Sequence, residues 1–490
     1  MKNKPRLKIH GGMSPLQINS AYEGATRSYR MKNKGLNNSG PNQDIKASHT
    51  TLVKRSRHAV QNHPIAVSAI ENYTTNMIGT GITAKWPNED VQGWWDIWVN
   101  QCDADGVGDF AGMQTLITRS QFEAGEGLAR RRVRLASDGL EVPLQVQLLD
   151  PDRLDVNHND FFNGRNVVMG IEFNGVGKRS AYHLWRHHPS ENNSLNINER
   201  VPVPAVDIAH LYRRLRPEQK RGIPEMTAVL IKLYEIDEMQ DSTLMRQKAA
   251  ALFSIFVRKK SENVNSDFPQ DSNTLGEDHG QITEAGTPIS EVVTGGIHYL
   301  DEDEDVVFAN PPDIGSNYSP WMKSEYRLIS RVVHSTYEQL TNDLEGTSYS
   351  SIRSGLIEVR RWFDQQQKQM IIFGFCQVVA GWFLDQAVIS GKISLPNYWK
   401  NRQQYLPKWF TPKWEWVDPL KDAMADLIEV RAGFSSREEK VAERNGDINR
   451  VDEQLNKEQK SDLVLDSNPS KTSKAGQLHQ QLAEALILQE

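Results

Sequence analysis

The chain has 490 residues, with 57 Lys or Arg against 63 Asp or Glu, which gives a formal net charge of −6. A chain of this length exceeds the size at which one hydrophobic core keeps growing, so we expect at least two structural subdomains. The negative balance excludes a protein whose whole surface grips nucleic acid. Two cysteines, Cys102 and Cys376, cannot build a disulfide framework, and no apolar signal core follows the basic start. These features predict synthesis in a reducing cytoplasm.

Positive charge is concentrated at the N-terminal end. Residues 1–58 contain twelve Lys or Arg and two acidic residues. We expect residues 1–50 to form a basic, flexible arm, which either touches DNA or an acidic partner or is an ordinary solvated terminus. A helical pattern begins at Leu52.

The next region mixes helices and strands. Trp94, Trp95 and Trp98 lie close together on a predicted helix, where core packing is favoured over stacking on bases. Apolar residues from Leu144 to Leu148 alternate with glutamines, as in a half-buried strand.

A second predicted strand contains Ile171 and Phe173. The Asn174-Gly175 pair that follows predicts a hairpin turn, after which Tyr182 and Leu184 belong to the returning strand.

Long helical patterns dominate the centre of the chain. One runs from Ile223 to about Arg258, roughly 50 Å at 1.5 Å per residue. A second begins at Pro320, with Ser319 as N-cap, and ends near Asn342. The predicted buried face of this second helix consists of Trp321, Leu328, Val332, Tyr337 and Leu340.

A third helix is predicted to begin after Ser350 or Ser351 as N-cap and to reach about Gly391. Ile352, Leu356, Val359 and Phe363 give it helical spacing. Its apolar run, Met370 to Leu384, is shorter than the roughly twenty residues that a membrane span needs, so we expect a buried or interface helix. The polar residues between the second and third helices predict a loop held between two rods.

The strongest charge asymmetry lies between the first two long helices. Residues 261–313 hold thirteen Asp or Glu and no Lys or Arg. Short β-like runs, Ile297 to Leu300 and Val306 to Ala309, predict loops around a small sheet. The segment is either an acidic docking surface or an insertion kept soluble by its carboxylates.

Catalytic motifs are missing from this sequence. The segment from Gly175 to Ser180 lacks the first glycine and the hydroxyl residue of a phosphate-binding loop, and we expect a turn there. His183, His187 and His188 have no third ligand at zinc spacing, so we predict no metal site. No cofactor is expected. The acidic run from Asp301 to Asp305 lacks a base or a phosphate cradle, and weak cation binding is all that it predicts.

Four segments, in this order and spacing from about Leu52 to Asp462, resemble the lambda-type bacteriophage portal protein family. They are Asn76–Ile82 (NMIGTGI), Gln147–Leu154 (QLLDPDRL), Arg216–Pro224 (RPEQKRGIP), and Tyr337–Asp343 (YEQLTND) with Tyr349–Arg353 (YSSIR). The resemblance implies an α+β portal fold, with a mixed α/β wing, long stem helices, a small β-containing clip and a helical crown, assembled as a ring.

The resemblance also implies a division of the chain. The expected parts are the wing (51–222), the first stem helix (223–260), the acidic clip (261–318), the second stem helix (319–342), the tunnel loop (343–351), the long helix (352–395), the wing/crown junction (396–432), the crown (433–465) and a flexible tail (466–490).

The function that the resemblance implies is a non-enzymatic ring, typically a dodecamer, at one capsid vertex of the virion. A separate terminase motor would package DNA through it, and the DNA would later be ejected. Implied partners are the terminase large subunit, a head-completion or adaptor protein, the major capsid and scaffolding proteins, and double-stranded DNA of any sequence, with no membrane.

Two sets of residues are expected at the DNA. The tunnel loop would present Asp343, Glu345, Thr347, Ser348 and Tyr349, and the acidic clip would present Asp301, Glu302, Asp303, Glu304 and Asp305. Two alternatives remain open: a metal-dependent phage nuclease that uses residues 301–305, and a monomeric scaffold or adaptor.

Overall fold

The computed structural model describes residues 39–162, 164–191, 199–252, 256–259, 304–307, 317–414, 419–444, 446 and 448–459. Short strands and helices alternate in the first half of the described chain, and helices predominate in the second. The fold class is therefore α+β, as the sequence predicts.

The elements of the first half follow one another closely. In chain order they are α1 (Pro41–Asn62), α2 (Pro64–Ile78), β1 (Thr83–Lys85), α3 (Glu89–Trp98), α4 (Phe110–Ala124), β2 (Glu126–Val133), β3 (Leu144–Leu149), β4 (Asp160–Phe162), β5 (Arg165–Val168), β6 (Ile171–Phe173), β7 (Arg179–Trp185), β8 (Arg200–Pro204) and β9 (Ile208–Tyr212).

The second half contains the longest helices. Its elements are α5 (Leu230–Leu252), β10 (Phe256–Lys259), β11 (Glu304–Val307), α6 (Tyr318–Val332), α7 (Tyr337–Thr341), α8 (Tyr349–Gln366), a π-helical segment (Gln367–Cys376), α9 (Gln377–Ile389), α10 (Tyr398–Asn401), β12 (Lys408–Phe410), α11 (Pro419–Ala432), α12 (Arg437–Glu443) and α13 (Ile448–Gln459).

Two antiparallel sheets form the β part. The three-stranded sheet has the order β3-β2-β9, and the five-stranded sheet runs consecutively from β4 to β8. The predicted hairpin between β6 and β7 is present: the Asn174 side chain accepts the backbone N–H groups of Val176 and Lys178. The glycines of residues 175–180 therefore serve a turn. Two short pairs, β1–β12 and β10–β11, complete the described sheets.

The main core is aromatic, and it joins the first half of the chain to the second. Trp95 and Trp98 are 3% and 0% exposed, and the Trp95 ring lies 5.1 Å from that of Phe383 on α9. The predicted packing of this tryptophan cluster is confirmed. Because the cluster touches both halves, neither half buries its apolar surface alone.

The N-terminal helix is longer than the sequence indicates. It begins at Pro41 instead of near Leu52, so residues 41–50 do not belong to an arm. Ile45 and His49 are buried. The few apolar residues of this stretch hid its helical period, whereas Pro41 at the first helical position is a favourable start.

The first long helix is shorter than predicted. α5 has 23 residues, about 34 Å at 1.5 Å per residue. Residues 256–259 instead form β10, which pairs with β11. The aromatic and β-branched run around Phe256 favours a strand once a partner strand is available.

The second long helix is interrupted. α6 begins at Tyr318, after Asn317, and ends at Val332, and α7 starts only at Tyr337. Between them His334 adopts a positive φ of 58°. Thr336 and Gln339 form a capping box that starts α7, and this signal overrides the continuous apolar pattern.

The buried face of α6 was also predicted wrongly. Met322, Ile329 and the following Val333 are at most 8% exposed, whereas Trp321 and Leu328 are 40% and 53% exposed. Leu340 is buried as predicted. The period was right, but the helix is rotated by one residue, which only its neighbours determine.

The third long helix runs continuously from α8 to α9 and contains the π-helical segment in its middle. By length and composition its span Ser350–Ile389 is the one described helix that could cross a membrane, and 61% of its apolar window is buried inside the protein. Core helices of soluble proteins pass the same test, so this is weak evidence for a membrane.

Candidate functional site

The segment between α7 and α8, residues 342–348, is the candidate site. Its first residue, Asn342, ends α7 in the left-handed conformation with φ 55°. Its last residue, Ser348, caps α8 by accepting the backbone N–H of Ser351 at 3.3 Å. The predicted N-cap at Ser350 or Ser351 is therefore wrong by two or three residues, because the helix absorbs Tyr349 and both serines.

The start of the segment is held by one carboxylate. Asp343 accepts a hydrogen bond from the Tyr337 hydroxyl at 2.7 Å and lies 3.1 Å from the Lys323 ammonium of α6. The Tyr337 hydroxyl, the Glu345 backbone N–H and Lys323 together lower the pKa of Asp343 to about 2. Asp343 is therefore an anion at neutral pH that ties the segment to α6.

Helix α2 forms hydrogen bonds with the end of α7, directly before the segment. Ser68 donates its hydroxyl to the carbonyl of Leu340 at 2.6 Å, and Asn72 donates its amide to the carbonyl of Gln339 at 2.7 Å. These bonds satisfy C-terminal carbonyls of α7 that have no partner within the helix. The end of α7 is thereby fixed to the core.

A stacked pair fixes the turn between α6 and α7. The His334 ring lies 3.6 Å from the Trp362 ring of α8 with an interplanar angle of 10°. Arg213 donates to the His334 ring nitrogen at 2.8 Å and pairs with Glu225 at 3.0 Å. The turn is thus tied to both α8 and the region before α5.

The five predicted loop residues play different parts. Glu345 is exposed, with 87% of its side chain accessible, and Thr347 is half-buried. Asp343 and Ser348 serve the local structure, and Tyr349 is the first residue of α8. Leu344 is exposed as well, and the Glu345 carboxylate, although accessible, lies 3.7 Å from the Lys323 ammonium.

The sequence patterns did not predict that Lys323, Ser68 and Asn72 hold α7 and the segment after it in place. These residues lie on other helices and are separated from the segment by about 20 to 270 positions. Only the Thr336–Gln339 spacing, a capping box, was a readable signal.

The acidic candidates are only partly described. Asp301, Glu302 and Asp303 lie outside the described residues, whereas Glu304 and Asp305 belong to β11. The register places Glu304 opposite Lys259 and Asp305 opposite Arg258. Two acidic positions of β11 are therefore opposite basic positions of β10. A count of charges over residues 261–313 does not include these basic residues. This register gives no support to a nuclease metal site at residues 304 and 305.

A group of three possible metal ligands is present elsewhere. One ligand atom each of Asp150, Asp152 and His188 lie within 4.8 Å of one another. The Arg57 guanidinium already donates to Asp150 at 2.9 Å and to Asp152 at 2.5 Å. A cation would have to displace this arginine, so we assign no metal there.

A comparison with known families decides the identity of the chain. Residues 27–367 match the family of phage portal proteins of the lambda type. The chain belongs to this family. The match includes α2, the three-stranded and five-stranded sheets, α5 to α7, the segment 342–348 and all of α8.

Viral relatives of this portal-family chain show the same kinship. It is 28% identical over 282 residues to the probable portal protein of Halomonas phage phiHAP-1, covering 57% of this chain and 52% of that protein. It is 21% identical over 324 residues to portal protein B of Escherichia phage lambda, covering 63% and 60% of the two chains. The chain thus spans between about half and two thirds of these relatives.

Solved structures give weaker similarities. A chain of the virion of a native gene transfer agent particle has a TM-score of 0.47 at 12% identity, over 81% of this chain and 93% of that chain. An HK97-family phage portal protein from Corynebacterium diphtheriae has a TM-score of 0.29 at 10% identity, over 61% and 84%.

Proposed function

We propose that this chain is a phage portal subunit: identical copies form a closed ring at one capsid vertex, and double-stranded DNA passes through its central channel. The observation that carries the proposal is the family match over residues 27–367. A separate terminase motor drives packaging, and the subunit itself performs no covalent chemistry. It is made in the host cytoplasm and then resides in the virion.

We assign the expected parts of the ring to the elements in the following way. The two sheets with α1 to α4 form the wing, α5 and α6 form the stem, and β10–β11 with the acidic segment between them belongs to the clip. Residues 342–348 line the narrowest part of the channel, and α11 to α13 belong to the junction and crown.

The clip contacts the terminase large subunit during packaging and a head-completion or adaptor protein afterwards. Capsid and scaffolding proteins surround the wing.

Unpartnered apolar side chains on α5 support ring assembly. Met239, Leu244 and Met245 are 44%, 47% and 66% exposed, although Leu230 and Leu233 near the start of the same helix are buried. Trp321 and Leu328 on α6 are exposed as well. A head-to-tail interface that closes would cover such faces in every subunit. These residues are the ones we expect at the contact between neighbours.

The assembly prediction is tested by changing Met239, Leu244 and Met245 together to glutamate. Native mass spectrometry and negative-stain images should show closed rings for the unsubstituted protein and monomers for the variant, because three buried charges would oppose the interface. A matched control changes Val107, Val176 and Val206 to glutamate, since these are exposed in turns. The control should still form rings.

Two results would contradict this proposal in different ways. Rings that persist in the α5 variant would remove this face from the interface. A strictly monomeric unsubstituted protein at micromolar concentration would count against the portal function itself.

The acidic clip provides a second prediction. Changing Asp301, Glu302, Asp303, Glu304 and Asp305 to Asn or Gln should leave folding nearly intact if the acidic run is solvated, because charges in contact with water contribute about 0–1 kcal/mol each. It should slow DNA packaging, measured as genome length packaged per unit time, because motor docking or the repulsion that keeps DNA sliding is lost. The control neutralises five exposed acids elsewhere, namely Glu89, Asp90, Asp105, Asp160 and Glu191. A variant that packages at the normal rate would show that the acidic run only aids solubility.

A further inference from the structure

Strand β2 presents a row of arginines on one face of the three-stranded sheet. Arg130, Arg132 and Arg134 alternate along the chain, so their side chains point to the same side. Gln147 and Gln145 of β3 extend this face, since Gln147 is directly opposite Arg130 and Gln145 is opposite Arg132. We call Arg130, Arg132, Arg134 and the nearby Arg153 the arginine row.

None of the four arginines has a carboxylate oxygen within ion-pair distance among the described residues. Arg132 donates twice to the Gln147 carbonyl oxygen, at 2.9 and 2.6 Å, and Arg134 donates to that of Gln145 at 2.8 Å. Asp207 attracts Arg130 from a distance and approaches Arg131, on the opposite face, at 3.8 Å. The positive charge of the row is therefore largely uncompensated.

Three arginines in or beside the neighbouring five-stranded sheet have carboxylate partners. Arg165, Arg186 and Arg200 pair with carboxylates at 3.1, 3.3 and 2.7 Å respectively. Among the described residues, carboxylates thus pair with these exposed arginines, but none lies within ion-pair distance of the arginine row. The lack of a nearby carboxylate is therefore specific to this face of the three-stranded sheet and does not result from a shortage of acidic residues in the chain.

The electrostatic environment of the row supports the same conclusion. Partial burial, and then the charges of Arg130, Arg134 and Arg153, lower the pKa of Arg132. An arginine nonetheless keeps its proton at neutral pH. Four half-buried cations that repel one another would each be stabilised by an incoming anion.

The chemistry of the row distinguishes between polyanions. Its outward groups are guanidinium N–H donors and a glutamine amide, with no apolar or aromatic side chain among them. Protein interfaces usually have an apolar centre that is depleted in charge, whereas phosphate oxygens are acceptors that match the planar fork of arginine. Alternate residues of a strand are roughly 7 Å apart, which is twice the axial spacing of about 3.4 Å between phosphates of one DNA strand.

We propose that the arginine row binds the phosphate backbone of double-stranded DNA without reading its sequence. This surface is separate from the segment 342–348, and the contact does not require ring assembly. It would hold DNA against the body of the subunit, outside the acidic segment.

The test compares DNA binding by two variants of the full chain. One changes Arg130, Arg132 and Arg134 to glutamine, and the control changes the exposed Lys178, Arg186 and Lys400 to glutamine, with the same change in net charge. The probe is a 30-base-pair duplex of arbitrary sequence, titrated at several salt concentrations. Both variants should form rings as the unsubstituted protein does.

Loss of three phosphate contacts should weaken binding by the arginine-row variant on the order of 10- to 100-fold near 0.1 M salt. The slope of log affinity against log salt should become less negative by about 2.7, or about 0.9 per contact. The control should change both quantities much less. In the unsubstituted protein, DNA should also protect Arg130, Arg132 and Arg134 from an arginine-selective dicarbonyl reagent, as read by mass spectrometry.

Equal affinity and salt slope in the variant and the control would overturn the proposal. A polyglutamate peptide that protects the three arginines when the duplex does not would assign the row to an acidic protein partner instead. If the glutamine variant fails to fold, the protection experiment on the unsubstituted protein decides alone. Failure of these tests with rings intact would leave the portal function standing.

Discussion

Replacing Arg221 by methionine should lower the free energy of unfolding by about 3–5 kcal/mol, because it leaves a buried carboxylate without its counter-charge. Arg221 and Glu126 are both 0% exposed, and the Arg221 Nε lies 2.7 Å from a Glu126 oxygen. Arg221 also donates to the carbonyls of Leu154 and Met169 at 3.1 and 3.0 Å. Leu154 precedes the five-stranded sheet, and Met169 lies between its strands β5 and β6.

While Arg221 is in place, the rest of the cluster supplies no counter-charge to Glu126. The Gly222 backbone N–H donates to Glu126 at 2.6 Å, and His49 and His210 approach it at 3.8 and 3.3 Å. Burial lowers the pKa of both histidines to about 4, so at neutral pH neither carries a compensating charge. With Arg221 removed, Glu126 must remain buried as an anion, or a proton must be taken up by Glu126 or by one of the two histidines, whose pKa the charge of Arg221 no longer lowers.

Urea unfolding followed by tryptophan fluorescence measures this effect. The control is the exposed pair of Arg186 and Glu199, where Arg186→Met should cost about 0–1 kcal/mol. Similar losses in the two variants would show that the buried cluster is not a special source of stability. A loss confined to Arg221→Met would show that the buried pair at the junction of α1 and the two sheets contributes strongly to the free energy of unfolding.

Shortening the segment between α7 and α8 should have the largest effect on function. We expect that replacing Leu344 to Thr347 by a single glycine leaves rings intact, because the flanking helices keep their buried faces. It should shorten the packaged genome or let DNA leak from filled heads, if residues 342–348 narrow the channel. The structure requires that Ser348 be retained, since it caps α8, and that Asp343 be retained, since it is tied to Lys323 and Tyr337.

A second variant separates length from chemistry. Changing Leu344, Glu345 and Thr347 to glycine keeps the length of the segment, and it should disturb DNA retention less than the deletion if steric narrowing matters most. Genome length and DNA retained after heating are the measurements. Loss of rings in the deletion would place the segment in a subunit interface, and retention of a full genome would leave it without a channel role.

Several local structures were determined by the sequence alone. The Asn174-Gly175 turn and the alternation around Val146 formed as predicted, and the Ser436–Glu439 spacing, a capping-box pattern, starts α12. In each case the signal and the structure lie within a few residues of each other. Short-range hydrogen bonds and the pleat of a strand decide such features before any distant contact is made.

The polar segment between two helices was also evident from the sequence, and so was the family. The boundaries of the polar segment were less evident from the sequence. Ser348, Ser350 and Ser351 are all good N-caps, and only the packing of α8 selects one of them. The family resemblance came from the order of four short segments and was confirmed over residues 27–367.

Only the tertiary structure decided which faces are buried and which charges meet. A helical period fixes the spacing of apolar residues but not the rotation of the helix. The core therefore contains Met322 and Ile329 of α6 and not the predicted Trp321 and Leu328. Glu126 and Arg221 are 95 residues apart, and Asp343 and its partner Lys323 lie on different elements. Pairing of distant charges depends on how sheets and helices pack together, because that packing alone sets the distances over which charges act. The same holds for the arginine row, which has no carboxylate partner among the described residues.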